Sequence, residues 1–141
     1  MSPKLVNPYL IFDGRCRQAM ECYQRSLGGV LSLMTYGEAP GGAEISPQHK
    51  DWIIHARLQM KSQVLMASDT RPGLPVTQGN NVFISINSDS AQEAEQMFQA
   101  LGQCGTIDMP LQETFFAIRF GMLTDQFGIK WMVNVEKPKT H

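Results

Sequence analysis

Few residues in this sequence stand where chemistry needs them. His55 and Arg57 lie two apart within residues 52–60, Trp-Ile-Ile-His-Ala-Arg-Leu-Gln-Met. Aromatic and branched content reads this stretch as a strand. Alternation puts Ile54, Ala56, Leu58 and Met60 on its core side and His55, Arg57 and Gln59 on the other. A lone histidine on a strand serves as a hydrogen-bonding pocket residue. It becomes a general base only if an acidic or carbonyl partner fixes its tautomer, and Asp69 and Glu113 are the candidate partners. Arg57 and Arg119 are candidates to clamp an anionic group bidentately, with ordinary surface arginine as the plain alternative. His49 falls in a loop and His141 is the last residue. Ser68 and Ser85 have no histidine–acid order that would make either a nucleophile. Cys16, Cys22 and Cys104 contain no CxxC pair and read as reduced, buried thiols of a cytoplasmic protein. The glycine-rich stretch 37–42 lacks a following Lys-Ser/Thr and helix, so it is no phosphate loop. No G-x-G-x-x-G follows a strand, which leaves a nucleotide-type cofactor no turn to sit on.

The elements that must position these residues are legible from periodicity. Residues 7–12 read as a strand that Pro8 opens and Asp13-Gly14 breaks. Cys16, Ala19, Met20, Tyr23 and Leu27 form one apolar helical stripe, and Gly28-Gly29 ends it. Strands follow over 30–36, 52–60 and 63–68, with a long loop over 37–51 that is either a lid, a binding loop or simply mobile. Residues 70–79 carry no periodicity. A strand over 81–87 then leads to Ser90-Ala-Gln-Glu93, a capping box in which serine and glutamate each satisfy a backbone N–H. Ala91, Ala94, Phe98 and Leu101 make the stripe of that second helix. Strands over 105–109, 117–123 and 129–135 complete the pattern, with a loop over 110–116.

The order strand, helix, strand, strand, strand therefore occurs twice. Ala19, Tyr23 and Leu27-Gly28 return as Ala94, Phe98 and Leu101-Gly102, at an offset of 74 to 75 residues. A period this long indicates tandem modules rather than a solenoid. The expected fold is α+β, two tandem βαβββ modules with mixed sheets. Module one spans 5–69, a linker 70–80 and module two 81–135, within a single domain over 1–141. Each helix covers one sheet face. Set edge to edge, the other faces form a concave trough, a natural small-molecule site. Alternation sends Val82, Ile84 and Ile86 under the second helix and Asn81, Phe83, Ser85 and Asn87 to the trough. It also sets Trp131 and Val133 against Met132 and Asn134.

Composition narrows the partners. The chain has 141 residues, 43% apolar and 18% charged, with a net charge of −1. That supports a real core and offers no basic surplus for nucleic acid or anionic membrane. The one short basic stretch is Lys137-Pro138-Lys139. No apolar run approaches the ~20 residues of a spanning helix, and residues 1–5 do not open a secretory signal. Nine methionines read first as core packing, though methionine also lines adaptable pockets.

The paired modules resemble the vicinal oxygen chelate superfamily of glyoxalases, bleomycin-resistance proteins and extradiol dioxygenases, and within it the PhnB-like branch. The resemblance rests on Asn7-Pro-Tyr-Leu-Ile-Phe-Asp-Gly14, Ala19-Met20 with Tyr23, Ile54-His55-Ala56, Leu65-Met-Ala-Ser-Asp69, Met109-Pro-Leu-Gln-Glu-Thr114 and, most specifically, Phe120-Gly-Met-Leu-Thr-Asp-Gln-Phe-Gly-Ile-Lys-Trp-Met-Val-Asn134. It covers almost the whole chain. It implies a homodimer and, for the enzymes of the superfamily, a divalent metal held by histidines and glutamates from the first and last strand of each module. Such a metal polarises two adjacent substrate oxygens. The corresponding places here hold Asn7, Asn81, Asp69 and the Met132/Asn134 end. Only Asp69 is an ordinary ligand type. The branch often has a carboxylate where Arg57 stands.

The expectation is a cytoplasmic, metal-free protein with no cofactor and no assigned reaction. It would enclose an unknown small molecule that is aromatic or apolar, without a catalytic residue. The lining residues expected are Tyr9, His55, Arg57, Asp69, Phe83, Ser85, Phe116, Arg119 and Met132. Aromatics supply area and the polar few set orientation. One alternative is a lyase- or dioxygenase-type enzyme with a non-standard metal site at His55 and Asp69. Another is a non-catalytic interaction protein whose trough is filled by its own side chains.

Overall fold

The computed structural model describes residues 4–138; residues 1–3 and 139–141, Lys139 and His141 among them, lie outside these. Its elements run β1 (Tyr9–Phe12), α1 (Cys16–Leu27), β2 (Val30–Thr35), β3 (Ile53–Met60), β4 (Gln63–Asp69), β5 (Ile84–Ser88), α2 (Ala91–Gly102), β6 (Thr106–Gln112), β7 (Ala117–Thr124) and β8 (Lys130–Glu136). The fold is α+β, the βαβββ order occurring twice. Each module is one mixed four-stranded sheet, in the orders β1-β4-β3-β2 and β5-β8-β7-β6. β1 runs parallel to β4 and β5 parallel to β8, while the remaining pairs are antiparallel. The chain divides into two compact units between Thr77 and Gln78. No helix among the described residues is long and apolar enough to cross a membrane.

In the first unit α1 buries Cys16, Ala19, Met20 and Tyr23 against the face carrying Phe12, Ala56, Leu58, Leu65 and Ala67. Each large side chain taken fully out of water contributes roughly 1.5–3 kcal/mol. One strand departs from simple alternation. Met34 pairs with His55 but Thr35 pairs with Ile53, so Ile54 is the extra residue of a bulge. Ile53 is consequently the fully buried residue, and Ile54 and Met60, expected inside, are half-buried. The 37–51 segment holds two short 3-10 turns, Gly42–Glu44 and Pro47–His49.

In the second unit α2 buries Ala94, Met97, Phe98 and Leu101 against Leu123, Trp131, Val133 and Val135. The Ser90 Oγ accepts the Glu93 backbone N–H at 3.1 Å, as the capping motif requires. The reciprocal half of the box is replaced, because the Ser90 N–H donates to Ser88 Oγ. β5 starts at Ile84 rather than at residue 81, and Val82 is 74% exposed instead of lying under α2. β6 continues through Pro110, where a loop was expected. It is an edge strand with two register shifts, a setting in which the missing proline N–H costs little.

Candidate functional site

The face of the first sheet that α1 leaves uncovered carries Tyr9 and Ile11 from β1, Val64, Met66 and Ser68 from β4, His55, Arg57 and Gln59 from β3, and Met34 and Ser32 from β2. The registers Tyr9↔Met66, Met66↔Arg57 and Met34↔His55 fix this set. Tyr9 reaches over the strand between them, its hydroxyl 3.4 Å from His55 Nδ1 and the two rings 5.9 Å apart. Arg57 donates through Nη2 to Gln59 Oε1 at 3.0 Å. Gln59 is itself oriented, its Nε2 donating to the Lys61 carbonyl at 2.8 Å and the Gln63 carbonyl at 3.4 Å. Three expected residues, Tyr9, His55 and Arg57, thus share one accessible face.

Asp69 is not among them. It stands opposite Phe12, two residues beyond Ala67 on the helix side, and is 2% exposed. Its carboxylate is fully engaged. Oδ1 accepts the Gly14 and Cys16 N–H groups at 2.8 and 2.9 Å, and Oδ2 accepts the Ile53 N–H at 2.8 Å. Arg15, which caps α1 by position, makes no side-chain capping bond. Asp69 supplies that cap from another strand, with negative charge at the helix N-terminus. The same charge, after burial itself, holds the Cys16 thiol up at about 12. Burial and then Asp69 also raise the Tyr36 phenol, whose hydroxyl donates to the Asp69 carbonyl at 3.1 Å. Alternation along 63–69 carries the signal for this placement, since Leu65, Ala67 and Asp69 share a face. Ser68 is the outward residue at the strand end.

The uncovered face of the second sheet carries Ser85 and Asn87 from β5, Lys130, Met132 and Asn134 from β8, and Phe120, Met122 and Thr124 from β7. Phe83 precedes β5, and the Lys130 ammonium lies 5.4 Å from its ring centre. Phe116 joins this face through an edge contact with Phe120, 5.1 Å between centroids. Phe120 was missed from the sequence, although period-2 counting from Gly121 and Leu123 points it outward. Asn134 Nδ2 donates to Asn87 Oδ1 at 3.0 Å, while its buried Oδ1 has no hydrogen-bond partner. The structure brings Phe83, Ser85, Phe116 and Met132 to this face. Arg119 is elsewhere. It pairs with Val135 on the face that α2 covers, and its Nε lies 3.5 Å from Glu95 Oε1. Glu95 also borders a cleft of about 470 Å³ between α2 and β6, floored by Phe98, Ile107, Pro110 and Leu111.

The residues do not fit the metal that the superfamily implies. Among the described residues no three of His, Cys, Asp or Glu stand close enough to hold an ion. Asp69, the single ordinary donor at the corresponding places, spends both oxygens on backbone N–H groups. Amide oxygen and thioether sulfur at the remaining places are poor ligands for the usual divalent ions. A nucleotide-type cofactor meets a similar obstacle at the first strand-to-helix turn. The N–H groups of Gly14 and Cys16 that would face its phosphates are already taken by Asp69.

Residues 4–134 match the family described as 3-demethylubiquinone-9 3-methyltransferase. Protein YjdN of Escherichia coli K12 is 34% identical, over 94% of this chain and 95% of its own length. The crystal structure of protein PA1353 from Pseudomonas aeruginosa is 46% identical, covers 96% of this chain and 100% of its own, and superposes with a TM-score of 0.88. The PhnB protein of Bacillus cereus shares the fold at 24% identity and a TM-score of 0.75, over 94% of this chain and 99% of its own. With both sheets, both helices and nearly its full length matched, the chain belongs to the family described as 3-demethylubiquinone-9 3-methyltransferase and shares its fold with the PhnB protein and with a glyoxalase-related enzyme of Fulvimarina pelagi.

Proposed function

We propose that this protein binds a small molecule on an uncovered sheet face, without a metal ion and without covalent chemistry. The observation that supports it most is apolar side chains left open to solvent beside a few polar ones. Tyr9 is 44%, Phe116 46% and Met34 48% exposed. Exposed apolar area rimmed by polar groups marks a binding surface more often than chance. Aromatic and methionine side chains supply area at low entropic cost, and on the first sheet His55 supplies direction. The setting proposed is the cytoplasm, in keeping with three unpaired cysteines, and the working form a homodimer.

The test is a thermal-shift screen of apolar aromatic compounds on the full chain, followed by calorimetry. A ligand at a hundred times its Kd stabilises by roughly 2.7 kcal/mol, several degrees in melting temperature. At least one compound is expected to reach that, with weaker binding in Tyr9→Ala and Met34→Ala. A screen without a single shift would sink the proposal. Its metal-free part is tested by elemental analysis of untagged protein. A stoichiometric divalent ion lost in His55→Ala would overturn it in favour of a metal-dependent enzyme. Sedimentation equilibrium tests the dimer.

A further inference from the structure

The four strands of the first sheet contain two charged residues, Arg57 and Asp69. Asp69 faces the helix and is sealed by three N–H donors. The strand residues of the uncovered face therefore carry one fixed charge, positive, and no carboxylate. Arg119 pairs with Glu95, Lys130 with Asp108 and Lys137 with Glu113, whereas Arg57 stands in none of these pairs. Its guanidinium is instead held along the strand by Gln59, through one N–H. The rest of its donor fork is left for a ligand.

His55 lies on the same strand and face, roughly 6.7 Å away by strand geometry. Its contact with the Tyr9 hydroxyl leaves one outward donor in either neutral arrangement. If Nδ1 accepts, the proton sits on Nε2. If Nδ1 donates, the phenolic proton turns outward. Met34 and Met66 flank the pair, and Ile11 lies beyond. The polar set is donor-rich, carries a single cation and is bordered by polarizable apolar side chains.

We propose that this face takes an apolar small molecule ending in a single carboxylate, received by Arg57 and the His55–Tyr9 pair. The proposal rests on the binding function above and deepens it by naming the ligand class. One cation matches one negative charge, which favours a carboxylate over a phosphonate or phosphate dianion. Arg57 grips by a planar fork, so lysine there is a partial substitute.

The experiment uses a panel of arylalkyl probes, each as carboxylate, primary amide and phosphonate, titrated calorimetrically into the full-length protein. Carboxylates are expected to bind about tenfold tighter than the matching amides, the effect of one charge-assisted hydrogen bond. Arg57→Met removes that preference, and Arg57→Lys keeps part of it. Arg119→Met, on the helix side against Glu95, keeps all of it. Equal binding of carboxylate and amide overturns the proposal while leaving the binding function standing. So does a preference that survives Arg57→Met, or a phosphonate that binds tighter than its carboxylate. If no probe in the panel binds, the binding function falls, and this inference with it.

Discussion

Replacing Asp69 by alanine should nearly unfold the first unit. The side chain closes three backbone donors, from the β1–α1 turn, α1 and β3, at 2.8, 2.9 and 2.8 Å. The Gly14 bond is partly open to water, which can replace the lost oxygen there. The Cys16 and Ile53 bonds are buried. Stranding a buried donor costs about 1–3 kcal/mol, and bonds to a charged acceptor sit at the upper end. Two such donors give ~4–6 kcal/mol, a large fraction of the ~5–15 kcal/mol that holds a domain together. Asp69→Asn keeps one oxygen but turns an amide N–H₂ toward a backbone N–H. It should cost about half as much, near one buried bond at ~2–3 kcal/mol. Urea unfolding followed by circular dichroism measures both variants. Amide hydrogen exchange adds the site-specific readout, with Cys16 and Ile53 losing protection first. A cost below ~1 kcal/mol for Asp69→Ala, or unchanged protection at those two amides, would refute the argument that Asp69 is a structural cap.

Three further outcomes follow from other contacts. Cys16, fully buried and held up at about 12 against an ordinary 9.0, favours the proton-bound folded state. Its contribution is intact below pH 9 and is lost as pH rises through the 9-to-12 window, by about 1.4 kcal/mol per unit. The drop in melting temperature between pH 8 and pH 11 should accordingly shrink in Cys16→Ala. Ser90→Ala removes the oxygen that accepts the Glu93 N–H and should cost about 1 kcal/mol in urea unfolding. Gly121→Ala would bring a methyl group to 2.7 Å from Phe98 Cε2 and 3.0 Å from Leu111 Cα. The ring and the backbone cannot both yield, so a loss of ~1–3 kcal/mol is expected by the same assay.

The sequence by itself determined the architecture, because the architecture is written in short-range periodicity. Helical stripes at Cys16–Leu27 and Ala94–Leu101, strand alternation around them and a repeated Leu-Gly stop specify two βαβββ modules. The same alternation put His55, Arg57, Phe83, Ser85 and Met132 on uncovered faces, since side-chain direction in a strand follows from counting. Tertiary structure decided what counting cannot reach. A bulge opposite Met34 and Thr35 exchanged Ile53 for Ile54 in the core, and an extra residue in a ladder has no signature of its own in composition. Pro110 entered a strand because that strand lies at an edge, which only the sheet order reveals. Asp69 resembled a ligand by its place at the end of a last strand. Its role depends on the Gly14, Cys16 and Ile53 amides converging on it, and those meet only once helix and sheet have packed. Arg119 shares the helix side with Gly121 and Leu123, as counting gives, but its partner Glu95 reaches it only once α2 has packed. Two arginines of equal chemistry received different roles because a carboxylate, Glu95, waits beside one of them and none beside the other.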